Sequence, residues 1–175
     1  MQAGWEREYI EFVSARLPAM RRLAYLLCGD GHHADDLVQQ VFTALFVHWG
    51  QARAATHLDG YVRRMVVRAF LDERRRAWSR RVALTASVPE RPASDGPDLA
   101  ERTAVRDALV RVPPRQRAVL VLRYLCDLPV ADVAAILDCS PGTVKSQASH
   151  GLAALRRLLG EPAASARVRS REGNG

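Results

Sequence analysis

Three arginines lie on the face of a long predicted helix that points away from its apolar stripe. On a wheel of about 100° per residue with Val62 at zero, Arg64, Arg68 and Arg75 fall between about 200° and 240°. Trp78 falls near about 160°, on the same side of the helix. Guanidinium groups fork onto phosphates, and an indole offers a stacking surface for a base. The set predicts a nucleic-acid face, with a plain solvated surface as the alternative.

The charge of this segment favours the nucleic-acid interpretation. Residues 61–82 contain eight arginines against two acidic residues, Asp72 and Glu73, so their net charge is +6. A face that is merely solvated normally mixes the two signs. The opposite side is predicted to pack in a core and carries apolar residues within about 60° of one another: Val62, Met65, Val66 and Ala69.

A second set of polar side chains lies on a helix that is predicted to begin at Pro141, after the N-cap residue Ser140. With Val144 at zero, the packing face carries Ala148, Gly151, Leu152 and Leu155. The rest of the surface carries donors and acceptors of the size that reads base edges in a major groove: Thr143, Lys145, Ser146, Ser149 and His150. A helix over residues 130–137 and a turn at 138–140 precede it, which is the helix-turn-helix pattern. An ordinary helical hairpin with a polar exterior is the alternative.

The overall composition also points to an anionic partner. Lys and Arg number 26 against 19 Asp and Glu, which gives a net charge of +7 and a pI of about 10.1. All but one of the basic residues are arginine, the exception being Lys145. Codon bias in a GC-rich genome explains that excess as well as phosphate binding does. The hydrophobic fraction of 48 % excludes wholesale disorder.

Several classes of protein and site are excluded. The sequence has no apolar run of the length that spans a bilayer, and its first residues lack a secretion signal, so we expect a cytoplasmic protein. The cluster His32, His33, Asp35 and Asp36 offers metal-ligand types, but adjacent histidines on a helix point in different directions, and no metal or cofactor is expected. Cys126 and Cys139 are interpreted as small buried apolar residues rather than a redox pair.

Apolar periodicity predicts an all-α fold of two small helical domains joined by a flexible linker. The first block covers residues 5–82, with helices over 5–16, 19–28, from 33–35 to 49, and from 59 to about 81. Pro18 is expected to kink or restart the first of them. Its inward residues are expected to be Tyr9, Ile10, Val13 and Leu17.

The second block covers residues 99–160, with helices over 99–112, 115–126, 130–137 and from 141 onward. Residues 83–98, between the two blocks, are rich in Pro, Ser, Ala and Asp, which is typical of a linker. The tail over residues 161–175 is predicted to be disordered.

Three segments in order resemble a bacterial RNA polymerase sigma factor of the extracytoplasmic-function group, in its SigE-like actinobacterial branch. Residues 29–49, GDGHHADDLVQQVFTALFVHW, resemble the polymerase-binding helix of that family. Residues 61–76, YVRRMVVRAFLDERRR, resemble its helix for −10 recognition and promoter melting. Residues 109–159, which include the predicted helix-turn-helix, resemble its −35 recognition domain.

The resemblance implies an alternative sigma factor, without catalytic activity of its own, that brings core RNA polymerase to a promoter. Its first domain would bind the clamp helices of the largest subunit and its second the flap of the other large subunit. A face of carboxylates and amides around apolar anchors suits a basic coiled coil. The residues that match the family's clamp-binding patch are Asp35, Asp36, Leu37, Gln39, Gln40 and Phe42.

The resemblance also implies contacts with double-stranded promoter DNA and with the single-stranded −10 non-template strand. The implied −10 and melting residues are Gln51, Arg53, His57, Tyr61, Arg64, Arg68, Arg75 and Trp78, of which the loop over residues 51–57 would hold a flipped base. The implied −35 residues are Ser140, Thr143, Lys145, Ser146, Gln147, Ser149 and His150. An anti-sigma protein is a candidate partner, because such proteins commonly restrain members of the group. No insertion into a membrane is implied.

Some positions depart from the family pattern. Arg68 stands where the family usually has Asn, and Gln40 replaces a common Glu. Gln147 and His150 stand where many members have Arg, which weakens the expected attraction to phosphates. The alternative function is a helix-turn-helix regulator that binds DNA without polymerase. It explains the second block and leaves the first without a role.

Overall fold

The computed structural model describes residues 2–83 and 97–160, with side chains over 4–82 and 102–160. The predicted tail and most of the predicted linker lie outside these residues. Within them the secondary structure is helical and contains no strand, which confirms the all-α fold class. The helices are α1 (Gln2–Cys28), α2 (Gly31–Val47), α3 (Trp49–Ala52), α4 (Leu58–Ala83), α5 (Pro97–Arg111), α6 (Pro114–Leu120), a π-helical segment (Val121–Leu125), α7 (Val130–Leu137) and α8 (Pro141–Gly160).

The N-terminal half is a bundle in which α1, α2 and α4 pack on one another. Apolar residues recur on one face of each helix, and their largest fully buried side chains include Met20, Leu45 and Phe70. The hydroxyl of Tyr9 donates to the carbonyl oxygen of Phe42 at 2.7 Å, which ties α1 to the middle of α2. The buried core therefore holds the outer faces of α2 and α4 in a fixed relation.

Two predictions for α1, a restart of the helix at Pro18 and an inward-facing Ile10, are wrong. The helix continues through Pro18 as one element, because Pro18 is exposed and removes one backbone donor that a long helix can spare. Ile10 is 61 % exposed rather than inward. On the helix wheel Ile10 lies about 100° beyond Tyr9 and outside the arc from Phe12 to Val13 that packs on the core.

The start of α2 lies earlier than predicted. The helix begins at Gly31, since the N-cap is Asp30, whose carboxylate accepts a hydrogen bond from the backbone N–H of His33 at 2.8 Å. Gly29 precedes it with φ of 71°, a conformation that glycine adopts without steric cost. This corner turns α2 back along α1 and sets which side chains of α2 face outward.

In the C-terminal half, the predicted helix over residues 115–126 is divided. It begins as α6 and ends in the π-helical segment, where the N–H of Cys126 donates to the carbonyl oxygen of Val121 at 2.9 Å. A π turn inserts one extra residue, and sequence periodicity does not report it. The segment ends at Leu125, and Asp127, two residues later, has φ of 53°.

The predicted helix-turn-helix is confirmed as α7 and α8. Asp138, with φ of 54°, forms the left-handed corner between them. Ser140 caps α8, because its Oγ accepts from the N–H of Thr143 at 3.1 Å. A Cβ on Gly151 of α8 would lie 3.0 Å from Cγ of the buried Leu120, so this position lets α6 and α8 approach closely.

The two halves are in contact, rather than standing apart as two separate bundles. Helix α4 packs against α6 and α7, and α1 contacts α5 and α6. Arg117 of α6 is only 4 % exposed and donates to the carbonyl oxygen of Leu27 in α1 at 2.8 Å. None of the described helices combines the length and the apolar composition that a membrane span requires.

Candidate polymerase and nucleic-acid interfaces

The arginine face of α4 meets the turn of the helix-turn-helix. Nη2 of Arg68 lies 3.5 Å from Oδ2 of Asp138, and Nη2 of Arg64 lies 3.7 Å from the same oxygen. The side chain of Arg68 is 53 % exposed and that of Arg64 is 37 % exposed. Both arginines were predicted to lie on an open surface, whereas in the structure they pair with an acid from the other half.

The last turns of α4 carry the rest of the predicted stripe and are open. Trp78 is 68 % exposed, which is unusual for an indole in a folded chain. Arg75 is exposed as well, and its Nη2 lies 3.0 Å from Oδ1 of Asp72, one turn earlier. Val82, beyond Trp78, is also exposed. An indole and an arginine are therefore available together to stack on and pair with a ligand.

Trp49, the first residue of α3, is buried and packs α3 against the core just before α4. Gln51 and His57 are exposed, and Tyr61 is 39 % exposed at the start of α4. Arg53 is tied to α1, because its Nη1 lies 3.2 Å from a carboxylate oxygen of Glu8. The predicted loop is therefore partly a short helix, and its exposed polar side chains precede Tyr61 in the chain.

A basic cleft lies between α8 and the π-helical segment. Lys145 and Ser149 line it from α8, as the sequence analysis predicted for an exposed face. Arg156 joins them from the next turns of the same face, and Arg123 and Tyr124 line the opposite wall. None of these three residues was predicted from the sequence. Arg156 lies within about 20° of Lys145 on the wheel, so that spacing could have revealed it, whereas the orientation of Arg123 depends on the π turn.

Some of the other predicted −35 residues use their polar atoms in hydrogen bonds within α8, and others are exposed. Oγ of Ser140 caps the helix and lies 2.9 Å from Oγ1 of Thr143. The hydroxyl of Ser146 donates to the carbonyl oxygen of Thr143 at 3.1 Å. Gln147 is half-buried, whereas His150 is exposed. The beginning of α8 is thus held rigidly by its own hydroxyl groups.

The outer face of α2 carries a shallow groove. Asp36, Gln39 and Gln40 line it, together with Thr43, Ala44 and Val47. Val47 is 71 % exposed, an apolar group at the end of a polar row. Asp35 lies beside this row and makes a bidentate pair with Arg21, with distances of 2.7 and 2.9 Å.

Two residues predicted for this patch do not lie on the surface. Leu37 and Phe42 are 2 % and 7 % exposed and belong to the core between α2 and its neighbours. They position the helix and cannot act as surface anchors, which corrects the sequence analysis. Thr43 and Val47 were missed, although both continue the i, i+4 row that passes through Gln39.

The cysteines and histidines form no recognisable reactive centre. Burial raises the pKa of the Cys28 thiol to about 11. Cys126 and Cys139 are free thiols that pack against the core, but both are half-buried and so less buried than predicted. Nε2 of His33 pairs with a carboxylate oxygen of Glu73. No group of three metal-ligating side chains occurs in the part of the chain that the structure describes.

Comparison with known proteins decides the family. Residues 12–80 match the family described as Sigma-70 region 2, and residues 102–155 match Sigma-70, region 4. The chain is 33 % identical over 170 residues to the RNA polymerase sigma-E factor of Streptomyces coelicolor, covering 94 % of this chain and 93 % of that protein. The chain belongs to the extracytoplasmic-function sigma factors. This sigma factor therefore directs RNA polymerase in transcription initiation, and the alternative of a regulator without polymerase loses its support.

Two further comparisons agree with this family. The sigma factor is 34 % identical over 148 residues to the ECF RNA polymerase sigma factor SigM of Mycobacterium tuberculosis, covering 81 % of this chain and 71 % of that one. Its fold is similar to that of the sigma factor RpoE of Bartonella quintana, solved in complex with the anti-sigma factor NepR. That likeness has a TM-score of 0.70 at 24 % identity and covers 89 % of this chain and 99 % of the other.

Proposed function

We propose that residues 5–82 bind core polymerase and the −10 element, that residues 99–160 bind the −35 element, and that residues 83–98 link them. The first domain would dock on the clamp helices of the largest subunit and the second on the flap of the other large subunit. The sigma factor would act in the cytoplasm, where polymerase works. The observation that carries this proposal is the separation of two kinds of surface, an acidic-amide groove on α2 and basic faces on α4 and α8.

The groove on α2 suits a basic helical partner. Asp36 supplies a charge without an internal ion pair in the described part of the molecule, and Gln39 and Gln40 supply donors and acceptors beside it. Val47 adds apolar area at one end. Complementary charge of this kind governs how fast and in which orientation two proteins meet. Asp35 has a supporting role, because Arg21 already neutralises it.

The face of α4 suits a strand that has left the double helix. Taking a base out of the stack costs a few kcal/mol, and a protein pocket must offset it. Arg64, Arg68 and Arg75 would follow the phosphates, while Tyr61 and Trp78 would stack on bases. The segment over residues 51–57, which includes Gln51, Arg53 and His57, lies next to Tyr61 and would hold the flipped base.

The face of α8 suits the major groove of an intact duplex. Lys145 and Ser149 lie in one cleft with Arg123 and Arg156, so three cations line the same cleft. These cations supply attraction to phosphates where Gln147 and His150 replace the arginines of many relatives. Ser140, Thr143 and Ser146 form the rigid first turns that would enter the groove.

Transcription reconstituted with purified core polymerase tests the proposal. Core enzyme with the sigma factor should start RNA at defined sites when genomic DNA is the template, and sequencing of the 5′ ends would locate them. Asp36→Arg should abolish assembly with core enzyme in gel filtration. Glu11→Arg, the same charge change at an exposed position of α1, should assemble normally. Assembly of the Asp36 variant, or the absence of any defined start site, would overturn the proposal.

The melting role has its own test. Replacing Arg64 and Arg68 together by Ala should reduce permanganate reactivity of unpaired thymines more than it reduces closed binding in a gel shift. Arg80 and Arg81, exposed in the last turn of α4, give a control that loses the same charge. Equal losses in both assays, or equal effects of the two double variants, would exclude a specific melting role.

An anti-sigma protein is a further proposed partner. Its support is the sigma factor of Bartonella quintana, which was solved in complex with one. Copurification of a protein encoded beside this chain, followed by loss of transcription when the two are mixed, would establish the partnership.

A further inference from the structure

Four side chains on one side of α1 contact the segment over residues 49–59, which precedes α4 and begins it. Glu8, Phe12 and Arg16 are spaced four residues apart, so they fall within about 80° of one another on the helix wheel, and Tyr9 lies within about 20° of Arg16. Each of the four touches the segment. The proposed function gives no role to any of them. They are called the α1 row below.

Two ion pairs join the ends of the α1 row to the segment. Nη1 of Arg53 lies 3.2 Å from a carboxylate oxygen of Glu8. Nε of Arg16 donates to Oδ1 of Asp59 at 2.5 Å. Glu8 and Arg16 are about 12 Å apart along the helix at 1.5 Å per residue, so the backbone of residues 54–58 runs between two separated points of attachment.

The two ion pairs have opposite polarity, and this fixes the direction of the segment. Helix α1 supplies the acid of the first pair, Glu8, and the base of the second, Arg16. If the segment ran the opposite way along α1, Glu8 would face Asp59 and Arg16 would face Arg53. Like charges placed opposite each other are unfavourable, so the charges select a single register.

The start of the segment is held by aromatic packing rather than by charge. The ring of Trp49 lies 5.3 Å from that of Tyr9, edge to face, and 5.4 Å from that of Phe12. The indole N–H of Trp49 has no hydrogen-bond partner among the described residues, so packing holds this ring. The guanidinium of Arg16 lies 6.0 Å from the centre of the Phe12 ring, which connects the aromatic packing to the second ion pair.

We propose that Glu8 and Arg16 are positioning residues that set the selectivity for the flipped −10 base. They hold residues 53–59 in the conformation that accepts that base, and neither side chain needs to touch DNA. The inference rests on the proposed function, which assigns the flipped base to residues 51–57. A pocket discriminates between bases only when its polar groups are held in place.

The exposure of the two pairs indicates which property depends on them. The four charged side chains are between 44 % and 48 % exposed. Exposed pairs of this kind contribute little to the stability of a fold. The bundle is held by its apolar core, so loss of a pair should disturb the position of the segment and leave the bundle folded.

Glu8→Gln and Arg16→Gln test the inference, because each breaks one pair with little change in size. The two substitutions change the net charge in opposite directions, so the first should strengthen nonspecific attraction to phosphates and the second should weaken it. Both should nevertheless reduce discrimination between bases, which a purely electrostatic effect cannot do. Glu11→Gln and Arg7→Gln are matched controls, since they make the same charge changes at exposed positions of α1 outside the row.

Each variant is assembled with core polymerase and mixed with a library of single-stranded DNA of random sequence. Sequencing of the captured strands gives the enrichment of the preferred base over the others at each position. Anisotropy with a fluorescent oligothymidine measures the nonspecific affinity. Circular dichroism defines a temperature at which every variant is fully folded, and all binding is compared there.

The expected result is a loss of discrimination of about two-fold to five-fold for Glu8→Gln and for Arg16→Gln, confined to one position of the enriched sequence. The two controls should keep the parental discrimination, and so should Arg16→Lys, which retains the charge. Unchanged discrimination in either test variant, an equal loss in the controls, or a loss spread over all positions would overturn the inference. If the parent sigma factor itself enriches no sequence, the proposed function fails instead, so the two failures are distinguishable.

Discussion

The guanidinium of Arg117 donates to the carbonyl oxygen of Leu27 at 2.8 Å across ninety positions of the chain. The same guanidinium also donates to the carbonyl oxygens of Val110 and Val112, the latter at 3.0 Å. One side chain thus closes the α5–α6 corner and joins the two halves. Removal of this buried guanidinium should therefore lower the stability of the fold more than removal of an exposed arginine of the same helix.

Arg117→Ala should lower the free energy of unfolding by about 2–4 kcal/mol, because buried carbonyl groups lose their donor. Urea denaturation followed by circular dichroism measures this value. Arg115→Ala, an exposed arginine on the same helix, should change it by less than about 0.5 kcal/mol. Equal effects of the two substitutions would show that the hydrogen bonds of Arg117 contribute nothing specific.

Gly151→Ala should destabilise the C-terminal half by about 1–2 kcal/mol. The added Cβ would lie 3.0–3.3 Å from three atoms of the buried Leu120, and overpacking of this kind exceeds the gain in helix propensity. Thermal unfolding measures the change. Gly60→Ala in α4 is the control, since its nearest neighbour is Cβ of His57 at 3.9 Å and the propensity gain of up to about 1 kcal/mol should remain. A stabilised Gly151 variant would contradict the close approach of α6 and α8.

Lys145→Ala should weaken promoter binding by the C-terminal half on all sequences alike. If Lys145 meets a phosphate, the slope of log K against log salt should fall by about one unit. Titrations at several salt concentrations with core-bound sigma factor measure it. Arg102→Ala removes the same charge at an exposed position of α5, away from the basic cleft, and should leave the slope unchanged. An unaltered slope for the Lys145 variant would exclude the phosphate contact.

Cys28 should resist alkylation in the native protein more strongly than Cys126 and Cys139, which are half-buried, although burial also raises the pKa of the Cys126 thiol. Burial raises the pKa of Cys28 to about 11, so its reactive thiolate is scarce at pH 8. Mass spectrometry after brief treatment with iodoacetamide, with and without urea, counts the modified thiols. Because the folded pKa is above the ordinary value of 9, the stability that this thiol contributes is complete below pH 9 and is lost as the pH rises through about 11. Rapid native modification of Cys28 would contradict this burial.

The helix-turn-helix was predictable because its signals are local. Ser140 as a cap, Pro141 in the first turn and the apolar spacing from Val144 all act within a few residues. The face of α2 was only partly predictable. A carboxylate-rich helix indicates a partner surface, but Leu37 and Phe42 match a motif and still face the core, because periodicity assigns a face and does not assign a function.

The contacts between the halves were not predictable from the sequence. Arg117, Arg106 and Asp138 look like ordinary surface charges in a basic chain, and their partners lie dozens of positions away. The periodicity of apolar residues also does not predict the π turn that begins at Val121, because the extra residue in that turn is accommodated by packing with other helices. Continuity of α1 through Pro18 has the same origin, because packing along the whole helix outweighs the loss of one hydrogen bond.

Helix α7 is eight residues long and lies between two left-handed aspartates, Asp127 and Asp138. So short a helix would not persist alone in water. The direction of α7 is therefore set by the backbone conformation of these two residues, one at each end of the helix. An insertion or deletion at either residue would change the orientation of α8, the predicted DNA-recognition helix. A change of length in another loop would be accommodated by that loop alone.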